Sequence, residues 1–156
     1  MKSPGNLIIA IVLIVIGLIG LFALSYSTYS SSYYSYQASG FQSNGERIYF
    51  AATSGSGEPI VSSIGQMTVR GGMMSCATCH GPDGKGGKGR VMMWTFDAPD
   101  IRYSTLIGEN YTDELIKRAI TKGIDEEEKQ LQPPMPGWQM PDSDLNDLIG
   151  FLKTLK

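Results

Sequence analysis

The two cysteines and the single histidine of this chain lie within five consecutive residues, Cys76-Ala77-Thr78-Cys79-His80. This C-x-x-C-H spacing is the attachment sequence for c-type haem. Two thiols three residues apart on a helical turn can each add across one vinyl group of the same haem, and the histidine that follows is then delivered to one face of the iron. The motif therefore predicts one covalently bound haem c, tethered by Cys76 and Cys79 and ligated by His80.

Three other uses of such a motif fit the chain less well. A structural zinc site needs about four Cys or His ligands, whereas the chain holds two cysteines and one histidine. A thioredoxin-like redox pair is expected beside a βαβ pattern, which is absent. A disulfide across so short a loop would add little stability. Covalent haem is therefore the preferred interpretation.

The second axial position of the iron is either open or filled by something other than histidine, because His80 is the only histidine. A methionine, or a less usual ligand such as lysine or an amine, could fill it. Apart from Met1, the methionines are Met67, Met73, Met74, Met92, Met93, Met135 and Met140. Met135 is favoured because prolines on both sides stiffen its loop, with Met140, Met92 and Met93 as alternatives. The other methionines are expected to pack around the cofactor.

The chain resembles a class I c-type cytochrome over about residues 41–156. The resemblance is carried by Cys-Ala-Thr-Cys-His-Gly-Pro-Asp-Gly at 76–84, Met-Pro-Gly-Trp at 135–138 and Asp-Leu-Ile-Gly-Phe-Leu at 147–152. It implies a small all-α domain of short helices around one haem, with His80 as the proximal ligand and Met135 as the distal one. It also implies that the carbonyl of Pro82 accepts the Nδ1 proton of His80, which would strengthen the histidine as a donor.

The same resemblance implies that the first and last helices of the domain cross each other. The matching positions are Gly45 and Tyr49 on the first helix and Leu148 and Phe151 on the last. All the expected helices are short, so the haem has to complete the hydrophobic core.

Apolar residues at helical spacing predict the same helices without the resemblance. One covers residues 44–52, a second begins after Thr112 as N-cap and ends at Gly123, and the last begins with Asp142 as N-cap. An insertion at about residues 53–72 separates the first helix from the haem motif, and residues 60–69 within it are predicted as a short hairpin lying over the haem or against a partner subunit. So long a glycine-rich segment is expected to be functional or ordered by a contact.

The N-terminal segment is apolar or glycine throughout residues 7–24. At about 1.5 Å per residue, a helix of this length spans roughly 27 Å, close to the thickness of a bilayer core. The sequence therefore predicts a single N-terminal transmembrane helix in residues 1–25 and a Ser/Tyr-rich linker at 26–40, with a cleaved signal peptide as the alternative. Lys2 precedes the segment and no positive charge follows until Arg47, so the N-terminus is expected inside and the haem domain outside the cytoplasm.

Charge and motifs exclude several classes of function. A formal net charge of −2 argues against a nucleic-acid-binding protein. The G-x-G-x-x-G at residues 84–89 follows no strand and opens no apolar helix, so it does not predict a nucleotide site. The sequence predicts an electron-transfer protein of the cytoplasmic membrane of a prokaryote, with its haem domain on the periplasmic or extracellular side. Its partners would be redox proteins of a respiratory chain, and the alternative is a haem enzyme or gas sensor with an open or labile sixth iron position.

Overall fold

The structure is a computed structural model that describes residues 11–21, 40–56, 60–70, 74–91 and 93–156. The chain divides into two compact units, Met1–Gly40 and Phe41–Lys156. In the first unit, residues 11–21 form helix α1, whose large apolar side chains are 47% to 65% exposed.

The prediction of an N-terminal transmembrane helix is wrong. Within the described residues, no helix is both long and apolar enough to span a membrane, and α1 is described over residues 11–21 only. The rest of the apolar segment, and the predicted linker apart from Gly40, lie outside the described residues.

Five helices are described in the second unit. They are α2 (Asn44–Ala51), α3 (Cys76–His80), α4 (Tyr103–Gly108), α5 (Asp113–Lys122) and α6 (Asp142–Leu152). Thr112 caps α5 by accepting a hydrogen bond from the Leu115 amide at 3.3 Å, and Gly123 ends it in the left-handed region at φ 64°. The last helix differs from the prediction at its start, because Pro141 is the N-cap and Asp142 is the first helical residue.

The second unit also contains strands, so the all-α prediction is wrong. The strands are β1 (Val61–Ile64), β2 (Met67–Arg70), β3 (Gly87–Val91), β4 (Trp94–Ala98) and β5 (Gly137–Gln139). They form two antiparallel sheets, one in the order β2-β1-β5 and one pairing β3 with β4. The predicted hairpin in the insertion is confirmed as β1 and β2, joined by a two-residue turn in which Gly65 takes the positive φ (58°) that such turns require.

The first and last helices of this unit pack against each other at a glycine. A Cβ atom at Gly45 would lie 2.0 Å from the carbonyl oxygen of Asp147, so the backbones approach too closely for any other residue. One turn further along α2, the Tyr49 ring lies 5.2 Å from that of Phe151, centroid to centroid. The crossing implied by the resemblance is therefore present, and it forms one wall of the hydrophobic core together with Leu148.

Candidate haem site

A cavity of about 510 Å³ lies inside the second unit. It is bordered by α2, α3 and α6, by β4 and the loop after it, by α4 and α5, and by the loop that leads into β5. Its volume is in the range of roughly 300–1,000 Å³ that is usual for sites holding a cofactor. The cavity occupies the centre of the core, where the short helices leave space.

Helix α3 presents both cysteines to this cavity. The helix starts at a local turn in which the Ser75 amide donates to Thr78 Oγ1 at 3.1 Å. Cys76 and Cys79 are half-buried free thiols. Burial raises the pKa of Cys76 to about 12 and also raises the pKa of Cys79. The two thiols are not joined to each other.

His80 closes α3, lines the same cavity and is 7% exposed. Its Nδ1 lies 3.0 Å from the carbonyl oxygen of Pro99. Because a carbonyl oxygen only accepts, Nδ1 carries the proton and Nε2 keeps a lone pair for a metal. Burial also lowers the pKa of His80, which favours the neutral ring. The carbonyl predicted for this role was that of Pro82, and the structure corrects it to Pro99.

The Pro99 carbonyl is fixed by the loops around it. The Gly86 amide donates to the His80 carbonyl at 2.9 Å, and Gly86 itself, at φ 74°, lies so close that a Cβ would be 2.5 Å from the Pro99 oxygen. On the other side, Arg102 Nε lies 3.0 Å from Asp100 Oδ1, and this guanidinium holds the pKa of Asp100 at about 2. The hydrogen bond to His80 thus rests on a well-anchored turn.

Tyr49 joins the first helix to the haem motif. It is completely buried, lines the cavity, and its hydroxyl donates to the Gly81 carbonyl oxygen at 2.6 Å. Gly81 is the C-cap of α3, so this bond fixes the end of the helix that carries His80.

Met135 is half-buried and lines the cavity from the loop before β5. Its amide donates to the Gln132 carbonyl at 3.2 Å, which closes a tight turn. Trp138, three residues later on β5, is 4% exposed and lines the cavity too. The loop therefore enters the cavity between a turn and a strand.

The other methionines lie in different surroundings. Met140 is half-buried against the core without lining the cavity, and Met93 is 70% exposed. Met92 lies outside the described residues. Met74, which the sequence did not single out, is 3% exposed and lines the cavity. Among the described methionines, the cavity is lined by Met74 and Met135.

Two contacts at this site have no local signal in the sequence. Pro99 is 19 residues from His80, and only the folded loops bring them together. The pairing of β5 with the insertion hairpin is likewise set by the tertiary fold.

The residues present fit a covalently held haem: two free thiols, a histidine with an available Nε2, and a cavity of cofactor size share one site. The fold and site thus define a haem-binding protein.

Comparison with known proteins identifies its family. The family model described as Cytochrome c matches residues 70–156, more than half of the chain, so the chain belongs to the cytochrome c family. It accordingly binds haem c covalently, with Cys76, Cys79 and His80 supplying the motif, and its family function is haem-based electron transfer with redox partner proteins. No curated protein and no solved structure gives a significant match.

Proposed function

We propose that this protein carries single electrons through a haem c ligated by His80 and Met135, in the manner of a class I c-type cytochrome. The observation that carries the proposal is that His80 and Met135 line the same cavity as the two cysteines. With both axial positions filled by the protein, the iron has no free position for a substrate, which suits electron transfer. A thioether ligand is soft and raises the reduction potential.

The two ligands are supported by separate elements, which favours this ligation. His80 ends α3, which packs against α2, β3 and β4. Met135 precedes β5, which packs against α5 and β1. Each ligand therefore has its own rigid support, and the site needs no large rearrangement between the two oxidation states.

The partners we propose are redox proteins of a respiratory chain, outside the cytoplasm of a prokaryote. The support is the apolar segment at residues 7–24 with Lys2 before it, a pattern typical of exported chains. A reporter enzyme that is active only outside the cytoplasm, fused after Lys156, tests this location. Activity of the fusion is expected, and its absence beside an active exported control would contradict the location.

The axial ligation is tested by the absorption spectrum of the oxidised protein. We expect the sulfur-to-iron charge-transfer band in the natural protein and its loss in Met135→Ala. Met140→Ala and Met74→Ala are the matched controls and should keep the band. Covalent haem staining on a denaturing gel checks that every variant is loaded.

Two other outcomes would identify a different axial ligand or an open sixth position. Loss of the band in Met74→Ala, but not in Met135→Ala, would assign the ligand to Met74. A natural protein that lacks the band and binds carbon monoxide promptly when reduced would have an open sixth position, as in a haem enzyme or gas sensor, and the proposal would be wrong.

A further inference from the structure

The insertion hairpin pairs directly with the strand that follows Met135. In the antiparallel register of β1 and β5, Val61 lies opposite Gln139, Ser62 opposite Trp138, and Ser63 opposite Gly137. The match to the cytochrome c family begins at residue 70, so β1 and nearly all of β2 precede the part of the chain that the family model covers. The distal side of the site is thus supported by a segment outside that match.

Ser62 occupies the centre of this sheet. It lies opposite Trp138 on one side and opposite Val69 on the other. All three side chains are buried, with Ser62 1% exposed. Its hydroxyl donates to the Val69 carbonyl at 3.4 Å.

Residues directly opposite each other in antiparallel strands point to the same face, with Cβ atoms about 4.5–5.5 Å apart. Trp138 also lines the haem cavity. The size of the side chain at residue 62 therefore sets the space available to the Trp138 indole.

The other side of β5 is closed by a helix. A Cβ at Gly137 would lie 3.0 Å from the Thr121 carbonyl oxygen on α5. The strand is therefore paired with β1 along one edge and packed against α5 on the face away from the Trp138 side chain. It cannot move towards α5 to make room for a larger residue at position 62.

We propose that β1 is a positioning brace for Met135, with Ser62 as the positioning residue. By fixing β5, the brace keeps the thioether at the iron and keeps small external ligands out. This inference rests on the proposed ligation by Met135. It assigns to the insertion a function in controlling access to the sixth iron position.

The test compares Ser62→Leu with Ser63→Leu in the haem-loaded full chain. The two serines are neighbours on β1, but Ser62 is buried whereas Ser63 is only half-buried and points to the opposite face. Overpacking at Ser62 should displace Trp138 and loosen the Met135 loop. We expect Ser62→Leu to weaken the sulfur-to-iron band and to bind imidazole, the probe for an open ferric position, about tenfold more tightly. Ser63→Leu enlarges the face away from Trp138, so it should keep the band and the imidazole affinity of the natural protein whatever its unfolding midpoint.

Three further variants separate positioning from general destabilisation. Ser62→Ala keeps the site small but removes the donor to the Val69 carbonyl, so it should lower the unfolding midpoint slightly while keeping the natural imidazole affinity. Ser62→Val provides a milder overpacking if the leucine variant does not fold. Leu145→Ala truncates a buried residue of α6 that does not line the cavity. It should lower the unfolding midpoint without changing imidazole affinity.

The outcomes distinguish the brace from the ligation. If Met135→Ala loses the band but Ser62→Leu and Ser62→Val bind imidazole as the natural protein does, the brace is refuted and the ligation stands. A rise in imidazole affinity in Leu145→Ala as large as in Ser62→Leu would also refute the brace, because affinity would then follow stability. If Met135→Ala keeps the band, the ligation itself fails.

Discussion

Substitution of Gly45 by alanine is expected to destabilise the protein at the crossing of α2 and α6. A Cβ atom added at Gly45 would lie 2.0 Å from the Asp147 carbonyl oxygen, 2.7 Å from its carbon and 2.9 Å from the Phe151 Cβ. Favourable contacts between such atoms begin at about 3.5 Å. Since the nearest atoms belong to the backbone, no change of rotamer relieves the overlap, and the helices have to separate by about 1.5 Å.

The expected change in the free energy of unfolding is the difference between two opposing effects. Overpacking of a close interface costs about 3 kcal/mol at the upper end of its usual range, and a backbone clash belongs at that end. Replacing glycine by alanine within a helix raises the free energy of unfolding by about 1 kcal/mol. The net loss in the free energy of unfolding is therefore about 2 kcal/mol, a large share of the roughly 5–15 kcal/mol typical of a domain.

Gly150→Ala is the matched control on the last helix. Gly150 is exposed, and an added Cβ would have no atom within 4 Å. Only the preference of helices for alanine over glycine applies there, so the free energy of unfolding is expected to rise by about 0.5–1 kcal/mol.

The assay is guanidinium unfolding of the haem-loaded protein, followed in parallel by far-ultraviolet circular dichroism and haem absorbance. The two variants should differ by about 3 kcal/mol. If Gly45→Ala unfolds within about 0.5 kcal/mol of the natural protein, the close approach of the helices does not determine stability and the reasoning is wrong.

Two further variants test the supports of His80. Tyr49→Phe removes the donor to the Gly81 carbonyl and should lower the free energy of unfolding by about 1 kcal/mol in the same assay; an unchanged value would mean that the bond contributes nothing. The Arg102 guanidinium lowers the pKa of Asp100 to about 2, below the ordinary pKa of about 3.9. The pair therefore stabilises the folded state at pH values above about 3.9, and this stabilisation is lost as the pH falls through 2. Asp100→Asn should therefore cost about 1 kcal/mol at pH 7, after discounting for partial exposure, and progressively less as the pH falls from about 4 to below 2. Stability curves that run parallel over this range would contradict this, and Arg102→Gln should remove the same pH-dependent difference.

Helices α2, α5 and α6 were predictable because their signals are local, whereas α4 was not predicted. Thr112 has the side chain that caps an N-terminus, and Gly123 has the freedom to end a helix in the left-handed region. The start of the last helix was misplaced because Asp142, a good capping residue, follows Pro141, and the extended backbone of the proline (ψ 156°) already occupies the cap position.

The hairpin of β1 and β2 was predicted, whereas β3, β4 and β5 were missed; β3 and β5 carry little strand signal. β3 contains glycines, which are unfavourable in strands. At Gly89 an added Cβ would lie 2.4 Å from the Phe96 ring, so a larger residue there would have to displace that ring. β5 is too short for a pattern to emerge. Its partner, β1, is distant in the sequence, so the pairing of Ser62 with Trp138 depends on the complete fold.

The sequence predicted those parts of the site whose contacts are local in the chain. Cys76, Cys79 and His80 are adjacent in sequence, and one turn of helix brings them to the cavity. The partner of the His80 Nδ1 depends instead on where the loop after β4 passes, which is why the Pro99 carbonyl holds the place expected for Pro82.

The two sides of the cavity are held by different parts of the chain. The histidine side depends on Tyr49, on the turn at Gly86 and on the pair of Asp100 with Arg102, close to the covalent attachment. The Met135 side depends on α5 and on a hairpin that precedes the family match. Contacts that share no partners act nearly independently. In the proposed ligation, changes in the insertion can therefore alter the position of the Met135 thioether and the access of small ligands to the iron. They would leave the covalent attachment of the haem undisturbed.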